Sequence, residues 1–215
     1  MLLLHFLSLF TMTATATTNS NSMPANYHLR RYQPADKDDC LSIFTESLLV
    51  EWGELHHDGK YKENAQRYVD SVVKDETSDF HNIEQVYFAK GGHFWVLVHK
   101  PETQDCEEVV GMCGLEVTSS NQVELRRMMV RKGHQGQGIG SNIMLPAIFQ
   151  MAKTINNGTV KTVFCSTPEH GPDSANVRFY KRNGFHYMLN EDGSKKIDPN
   201  IHNTPIHEAF LEYSL

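Results

Sequence analysis

A single mixed α/β domain with a mostly antiparallel central sheet is the fold class this sequence predicts, and three observations predict it. Seven β-prone runs are interspersed with four helix-patterned ones. Three of the β-prone runs, Phe94–His99, Val109–Val117 and Gln122–Val130, follow one another across short polar connections, so they can pair antiparallel by adjacency. The last of them leads through Gln135-Gly136-Gln137-Gly138-Ile139-Gly140 into a helical pattern, which places a strand, a glycine-rich turn and a helix N-terminus in succession.

Taken in order, residues 1–23 read as a disordered extension. Leu2–Phe10 has the length of an apolar targeting core but lacks a positive n-region, and a Thr/Ala/Asn/Ser-rich stretch follows to Ser22. Residues 24–215 form the domain. Tyr27–Tyr32 alternates as a first strand, and Pro34-Ala35-Asp36 opens a helix over Asp38–Leu49. A charged helix spans Tyr61–Lys74. Phe94–His99 is rich in aromatic and β-branched residues, and Pro101–Glu107 is a polar turn. Gly111 and Gly114 mark a bulge or a close backbone approach inside the next strand. Beyond the glycine loop, Ile139, Ile143, Ala147 and Met151 share one face of a helix running to Lys153. Pro146 lies inside that helix; it removes one backbone bond and bends the helix there. Val160–Thr167 is a buried strand, Asp173–Arg182 a helix, Phe185–Leu189 a strand, Asn190–Pro205 a polar loop and Ile206–Tyr213 the closing strand.

Composition sets the limits on function. The chain has 215 residues, 40% of them hydrophobic, which suffices for a real core. A formal charge of −6 with a pI near 6.0 argues against non-specific binding to nucleic acid or anionic membranes. No apolar run is long enough to span a bilayer. The local basic cluster Arg126, Arg127, Arg131 and Lys132 is either a solvated strand end or an attractor of phosphate. Four cysteines without C-x-x-C spacing read as reduced thiols of a cytoplasmic protein. Twelve histidines include no H-E-x-x-H or similar ligand spacing, so no metal is expected.

The glycine loop presents main-chain N–H groups and the positive end of a helix dipole, a place for phosphate. It is not a dinucleotide fingerprint, because Ser141 stands where the third glycine belongs, and not a P-loop, because no lysine follows Gly138 or Gly140. Gln135, Gly138 and Gly140 instead supply Q/R-x-x-G-x-G/A. A second segment, Ser174-Ala175-Asn176-Val177-Arg178-Phe179-Tyr180-Lys181-Arg182-Asn183-Gly184-Phe185, supplies A-x-x-F/L-Y-x-x-x-G-F. Both motifs, in this order, resemble those of the GNAT superfamily of acetyl-CoA-dependent N-acetyltransferases. The resemblance implies a twisted sheet of six or seven strands, splayed at the acyl-CoA site and flanked by about four helices.

It also implies roles. Gln135, Gly136, Gln137, Gly138, Ile139, Gly140 and Ser141 would hold the pyrophosphate of acetyl-CoA. The backbone of Met128, Met129 and Val130 would pair with the pantetheine arm as an added strand. Asp173 and Asn176 would contact the arm, or one of them would simply cap the helix. Glu124, within Glu124-Leu125-Arg126-Arg127-Met128-Met129-Val130, matches the E-L-x-R-x-x-V segment that carries the general base in many members. A carboxylate titrating near 4 takes a proton from an ammonium poorly unless its environment shifts one of the two. The other reading of Glu124 is an exposed partner of Arg126. Tyr180 would protonate the departing thiolate, the alternative being an aromatic core anchor. Cys113 and Cys165 show no partnered base. Glu51, Trp52 and His56, in the loop expected between the first two helices, would meet the acceptor. The acceptor would be a small primary amine or amino acid, or else a protein lysine or N-terminus, and the enzyme a monomer or homodimer. The competing class is an acyl-CoA-binding sensor or subunit without turnover.

Overall fold

The structure, a computed structural model, describes residues 26–55, 60–102, 106–169, 174–198 and 207–215; side chains are described outside residues 51–62. The expectation for residues 1–23 lies outside the described residues.

Strand β1 (Tyr27–Arg31) runs into a short turn in which Asp36 does the capping. Its carboxylate accepts from the Gln33 amide at 2.7 Å and from both terminal nitrogens of Arg30 at 2.7 Å. Helices α1 (Lys37–Leu55) and α2 (Lys60–Lys74) follow, then one π-helical turn at Glu84–Phe88 that the sequence pattern did not announce. The meander β2 (His93–His99), β3 (Glu108–Val117) and β4 (Gln122–Val130) pairs antiparallel as expected. After the glycine loop come helix α3 (Leu145–Ala152), β5 (Thr162–Glu169), α4 (Ala175–Arg182) and the short β6 (His186–Tyr187). A two-residue β7 (Ile197–Asp198) interrupts the expected polar loop, and β8 (His207–Ser214) closes the sheet. The order is β1-β2-β3-β4-β5-β8-β6, with β7 also on β8.

Each face of the sheet carries its own core. One core joins α1, α2 and the π turn to the sheet through Phe44, Val69, Phe80, Tyr87, Phe94 and Met112. The other joins α3 and α4 through Leu115, Val123, Leu125, Ile148, Val163 and Val177. Gly114 serves the first: a Cβ there would lie 2.6 Å from the Tyr87 ring, so only glycine lets that tyrosine cross the strand.

The α3 region corrects the sequence reading. Instead of bending at Pro146, the chain widens the preceding turn, Gly140–Met144, into a π turn, and Pro146 falls in the first turn of α3, where its missing N–H costs little. The extra residue advances the buried face by one position. The face is Ile139, Met144, Ile148 and Ala152, while Ile143 and Met151 only flank it.

The pairing of β4 decides where a ligand can enter. It is antiparallel to β3 throughout but parallel to β5 only at Gln122↔Thr162, Val123↔Val163 and Glu124↔Phe164. Beyond Glu124 the two strands part. At that point β4 is bulged: Gly114 faces Arg126 and Met112 faces Met129, leaving Arg127 and Met128 opposite one β3 residue. Arg127 sits at φ 54°, a left-handed conformation that a non-glycine residue holds only under constraint. The constraint is visible. The Arg127 guanidinium makes a bidentate pair with buried Asp79, at 3.0 and 2.8 Å, and lies 4.9 and 4.8 Å from the Phe44 and Phe80 ring centres. Tyr87 Oη donates to the same carboxylate at 2.6 Å. The bulge also inverts the strand's alternation. Val123 and Leu125 pack toward α3 and α4 before it, Met128 and Val130 after it.

Truncating Arg127 to Ala leaves the Asp79 charge buried and unpaired, so urea unfolding is expected to show a loss of about 3–5 kcal/mol. Burial alone would raise the Asp79 pKa, but its bonds to Arg127 and Tyr87 hold it below the usual carboxylate value. The stability it contributes is therefore present at neutral pH and lost as pH falls through that lowered pKa, a dependence that Asp79→Asn removes. A loss under 1 kcal/mol in Arg127→Ala would contradict this reading of the pair.

Candidate active site

The glycine loop is built from braces at its ends and freedom at its centre. Its entry is fixed by a 3₁₀ turn, Lys132–His134, with the Gln135 amide bonded to the Lys132 carbonyl at 3.2 Å. Gln135 Nε2 donates to the Val130 carbonyl at 2.7 Å, so this side chain straps the loop to β4. Gly136 and Gly138 both have φ near +75°, at 76° and 75°, and the Gly138 carbonyl accepts from the Asn142 amide at 2.9 Å to begin the helix. The amides just before it, of Ile139, Gly140 and Ser141, fall in the first turn, where a helix offers them no carbonyl of its own. Gly140 lets the loop settle against α4, since a Cβ there would lie 2.9 Å from the Phe179 ring.

Gln135, Gly136, Gly138, Ile139, Gly140 and Ser141 line a groove of about 1590 Å³. Gln137 does not; its side chain accepts from Tyr27 Oη at 3.4 Å instead. From the loop the groove passes Met128, Met129 and Val130, along the edge of β4 that β5 has left, and reaches Tyr180, Glu124 and Glu208. Asn176 also lines it, and Ser174, not Asn176, caps α4 by accepting from the Val177 amide.

Glu124 and Tyr180 flank the opening between β4 and β5 from opposite faces. Tyr180 belongs to the core beneath α3 and α4, in edge contact with Phe179 and Phe185, and it lines the groove as well. Anchor and groove wall are thus one residue. Burial, with the Cys165 thiol beside it, pushes the phenol well above its usual pKa, so it holds its proton throughout the physiological range. Glu124 follows Val123 and precedes Leu125, both of which pack under α3 and α4, so it lies on the other face. Burial raises its pKa, Arg126 opposes that rise, and Glu116 and Glu208 add to it. Arg126 does not form an ion pair with Glu124; it turns to Glu116 at 2.6 Å and to Asp79 at 3.9 Å.

The three arginines of the basic cluster are therefore held in ion pairs, while Lys132 is exposed and lines the groove. Arg126 and Arg127 are spent on Glu116 and Asp79, and Arg131 is paired with Glu46 and Asp39. Burial pushes the Cys113 and Cys165 thiols far above neutral, so neither is a thiolate nucleophile.

Of the expected acceptor residues, Glu51 and Trp52 lie in the last turns of α1, which continues to Leu55 instead of ending at Leu49. Their side chains, and His56 and Asp173 altogether, lie outside the described residues. The groove wall on that side comes from Phe44, Glu46, Ser47, Leu48, Val50 and Tyr68. These residues and Glu208 carried no motif. Glu208 had one available signal, an acidic residue among apolar ones in a closing strand.

Residues 90–187 match the profile of the acetyltransferase (GNAT) domain. No curated protein sequence matches the chain. Solved structures similar to it include an acetyltransferase from Streptococcus agalactiae, at 16% identity and a TM-score of 0.57 over 89% of this chain and 99% of that one. A GNAT-family acetyltransferase from Staphylococcus aureus aligns at 20% identity and TM-score 0.57, covering 88% and 99%. The PaiA N-acetyltransferase of Thermoplasma acidophilum, solved with coenzyme A, aligns at 13% identity and TM-score 0.58, also covering 88% and 99%. At these identities the likeness is one of fold, and the sheet with its flanking helices is that of GNAT acetyltransferases.

A raised Glu124 pKa has a sign in stability. Folding disfavours its charged form, so the penalty is absent below the unfolded carboxylate pKa of about 4 and complete once pH exceeds the folded value. Glu124→Gln is expected to raise the melting temperature at pH 8 and leave it unchanged near pH 3. Equal melting at both pH values would place Glu124 in solvent.

Proposed function

We propose that this chain, which carries a GNAT acetyltransferase domain over residues 90–187, moves an acetyl group from acetyl-CoA to a small primary amine by direct transfer within a ternary complex. The observation that carries this reading is the continuous groove from the glycine loop, along the unpaired edge of β4, to the gap where Tyr180 and Glu124 meet from opposite faces.

The loop amides and helix N-terminus are suited to the pyrophosphate, and the freed edge of β4 to the amide groups of the pantetheine arm. The Val130 carbonyl is already engaged by Gln135, so the arm relies on the main chain at Met128 and Met129 unless Gln135 swings aside. Gln135 acts as a strap and not as a phosphate ligand. The thioester carbon then lies in the gap. A neutral amine nitrogen attacks it, a C–N bond forms and the C–S bond breaks. The nitrogen's surplus proton passes to Glu124, directly or through one water, and the sulfur takes a proton or a hydrogen bond from Tyr180. A raised carboxylate pKa makes Glu124 a stronger base, and the high phenol pKa keeps the Tyr180 proton in place until a thiolate develops. Buried, protonated cysteines support direct transfer over an acyl-enzyme.

A cationic acceptor is favoured by Glu124 and Glu208, which both line the groove and sense each other's charge. The spermidine N-acetyltransferase of Vibrio cholerae, solved with CoA and spermine, shares the fold at 11% identity and TM-score 0.51. Amino acids and protein amines are the alternative acceptors, and a turnover-free CoA-binding protein is the alternative class. Residues 24–215 would form the one transferase domain. Among the described residues no helix is long and apolar enough to cross a membrane, and a cytoplasmic enzyme, monomeric or homodimeric, is the reading we favour.

Release of free CoA from acetyl-CoA is expected with at least one amine of a panel spanning diamines, polyamines, amino acids and lysine peptides. Tyr180→Phe should lower that rate by about 10²-fold or more with little change in CoA affinity. The acidic limb of kcat/KM should lie above the usual carboxylate range and disappear in Glu124→Gln. CoA binding without release for any amine would favour the turnover-free protein. Gly138→Asp should weaken CoA binding at least about tenfold by calorimetry, through charge repulsion and backbone strain at φ 75°; unchanged affinity would remove the loop from its role.

A further inference from the structure

Just before the glycine loop, three side chains from distant parts of the chain converge. His99 ends β2, Glu108 begins β3, and the two stand directly opposite each other in the ladder, so their side chains leave the same face. His134 closes the 3₁₀ turn that follows β4, and that turn is tied to β3 by the Arg131 amide bonding to the Val110 carbonyl at 2.8 Å. One ligand-type atom from each of His99, Glu108 and His134 lies within 4.8 Å of the others. Around a tetrahedral zinc ion such atoms stand roughly 3.3 Å apart, a closure within reach of side-chain rotation.

Two independent features prepare these groups for an ion. Nδ1 of His99 is enclosed and has no hydrogen-bond partner, an unusual state for a buried imidazole nitrogen. His134 Nδ1 is bonded to Tyr27 Oη at 2.8 Å, which leaves Nε2 as the coordinating atom of that ring and fixes its orientation. Tyr27 also stacks on the His99 ring, centre to centre 4.6 Å, so one tyrosine from β1 steadies both imidazoles. Arg131, the neighbouring cation, is paired with Glu46 and Asp39. Two imidazoles and one carboxylate, with a fourth position open to water, suit zinc or a similar divalent transition ion and not magnesium or calcium.

We propose that His99, Glu108 and His134 form a zinc-class site that clasps the end of the β2–β3 hairpin to the turn entering the glycine loop. The ion acts as a clasp and takes no part in acyl transfer; the inference stands whether or not the chain turns over acetyl-CoA.

The test is calorimetric titration of zinc into the full-length, chelator-treated protein, with cobalt(II) absorption as an independent report of imidazole coordination. About one zinc per chain is expected, with a higher melting temperature in its presence. His99→Phe, which keeps a ring on Tyr27, and Glu108→Gln, at an exposed strand end, should each weaken zinc at least about tenfold, and Tyr27→Phe about tenfold through the lost orienting bond. The cobalt spectrum should vanish in His99→Phe. Absence of stoichiometric zinc binding, or binding unchanged by both His99→Phe and Glu108→Gln, would overturn the site; the latter would assign the ion to other histidines.

Discussion

The pairing of Arg127 with buried Asp79 is the constraint on which the rest of the architecture depends. A regular β4 would keep its alternation and could continue its ladder with β5. Holding Arg127 in a left-handed conformation inserts one residue, rotates the strand and carries Met128–Val130 away from β5. The strain of that conformation is offset by a bidentate ion pair, two aromatic faces and the Tyr87 hydroxyl. The Asp79 carboxylate joins the segment before the π turn to Tyr87 in that turn and to Arg127 in β4, and the Arg127 guanidinium in turn meets Phe44 of α1. The gap between β4 and β5 is in this sense a consequence of packing on the opposite face.

Under the proposed function, that gap would account for a division of labour around it. On the α3–α4 side, the glycine loop and Tyr180 present amides, a helix N-terminus and a protonated phenol, groups that stabilise anionic phosphate and a developing thiolate. On the other side, Glu124 and Glu208 present carboxylates, which suit a positively charged amine and the proton it must lose. Donor and acceptor would approach through different faces and meet where no strand intervenes. The same two-faced arrangement accounts for the perturbed acidities. Tyr180 is buried among apolar groups, and Glu124 is partly buried beside like charges.

Much of this was legible in the residues. Alternation and β-propensity located the meander, and glycine spacing together with Phe179-Tyr180 and Gly184-Phe185 marked the loop and α4. The parts that escaped did so for physical reasons. Pro146 was visible, but a π turn is one of several ways to absorb a proline, and it moved the buried face by a residue. Arg127 read as one of four surface cations, because its partner Asp79 lies 48 residues away in a segment with no periodic pattern. Gln135 is expected at the pyrophosphate by its position, but the bond from its side chain to the Val130 carbonyl has no mark in the spacing. The groove wall on the α1–α2 side mixes apolar Phe44, Leu48, Val50 and Tyr68 with polar Glu46 and Ser47, and their place at the groove depends on where α1 and α2 sit. His99, Glu108 and His134 carry no ligand spacing at all; only the ladder register and the turn after β4 bring them together.

The most direct measurement is a crystal structure of the chain with CoA bound. The pyrophosphate should contact main-chain amides between Gly136 and Ser141, the pantetheine should lie along β4 at Met128–Met129, and the sulfur should end beside Tyr180 in the gap opposite Glu124. CoA bound outside that groove, for instance in the separate cleft lined by Arg31, Lys37 and His81, or a β4 that closes onto β5 when CoA is present, would contradict the account.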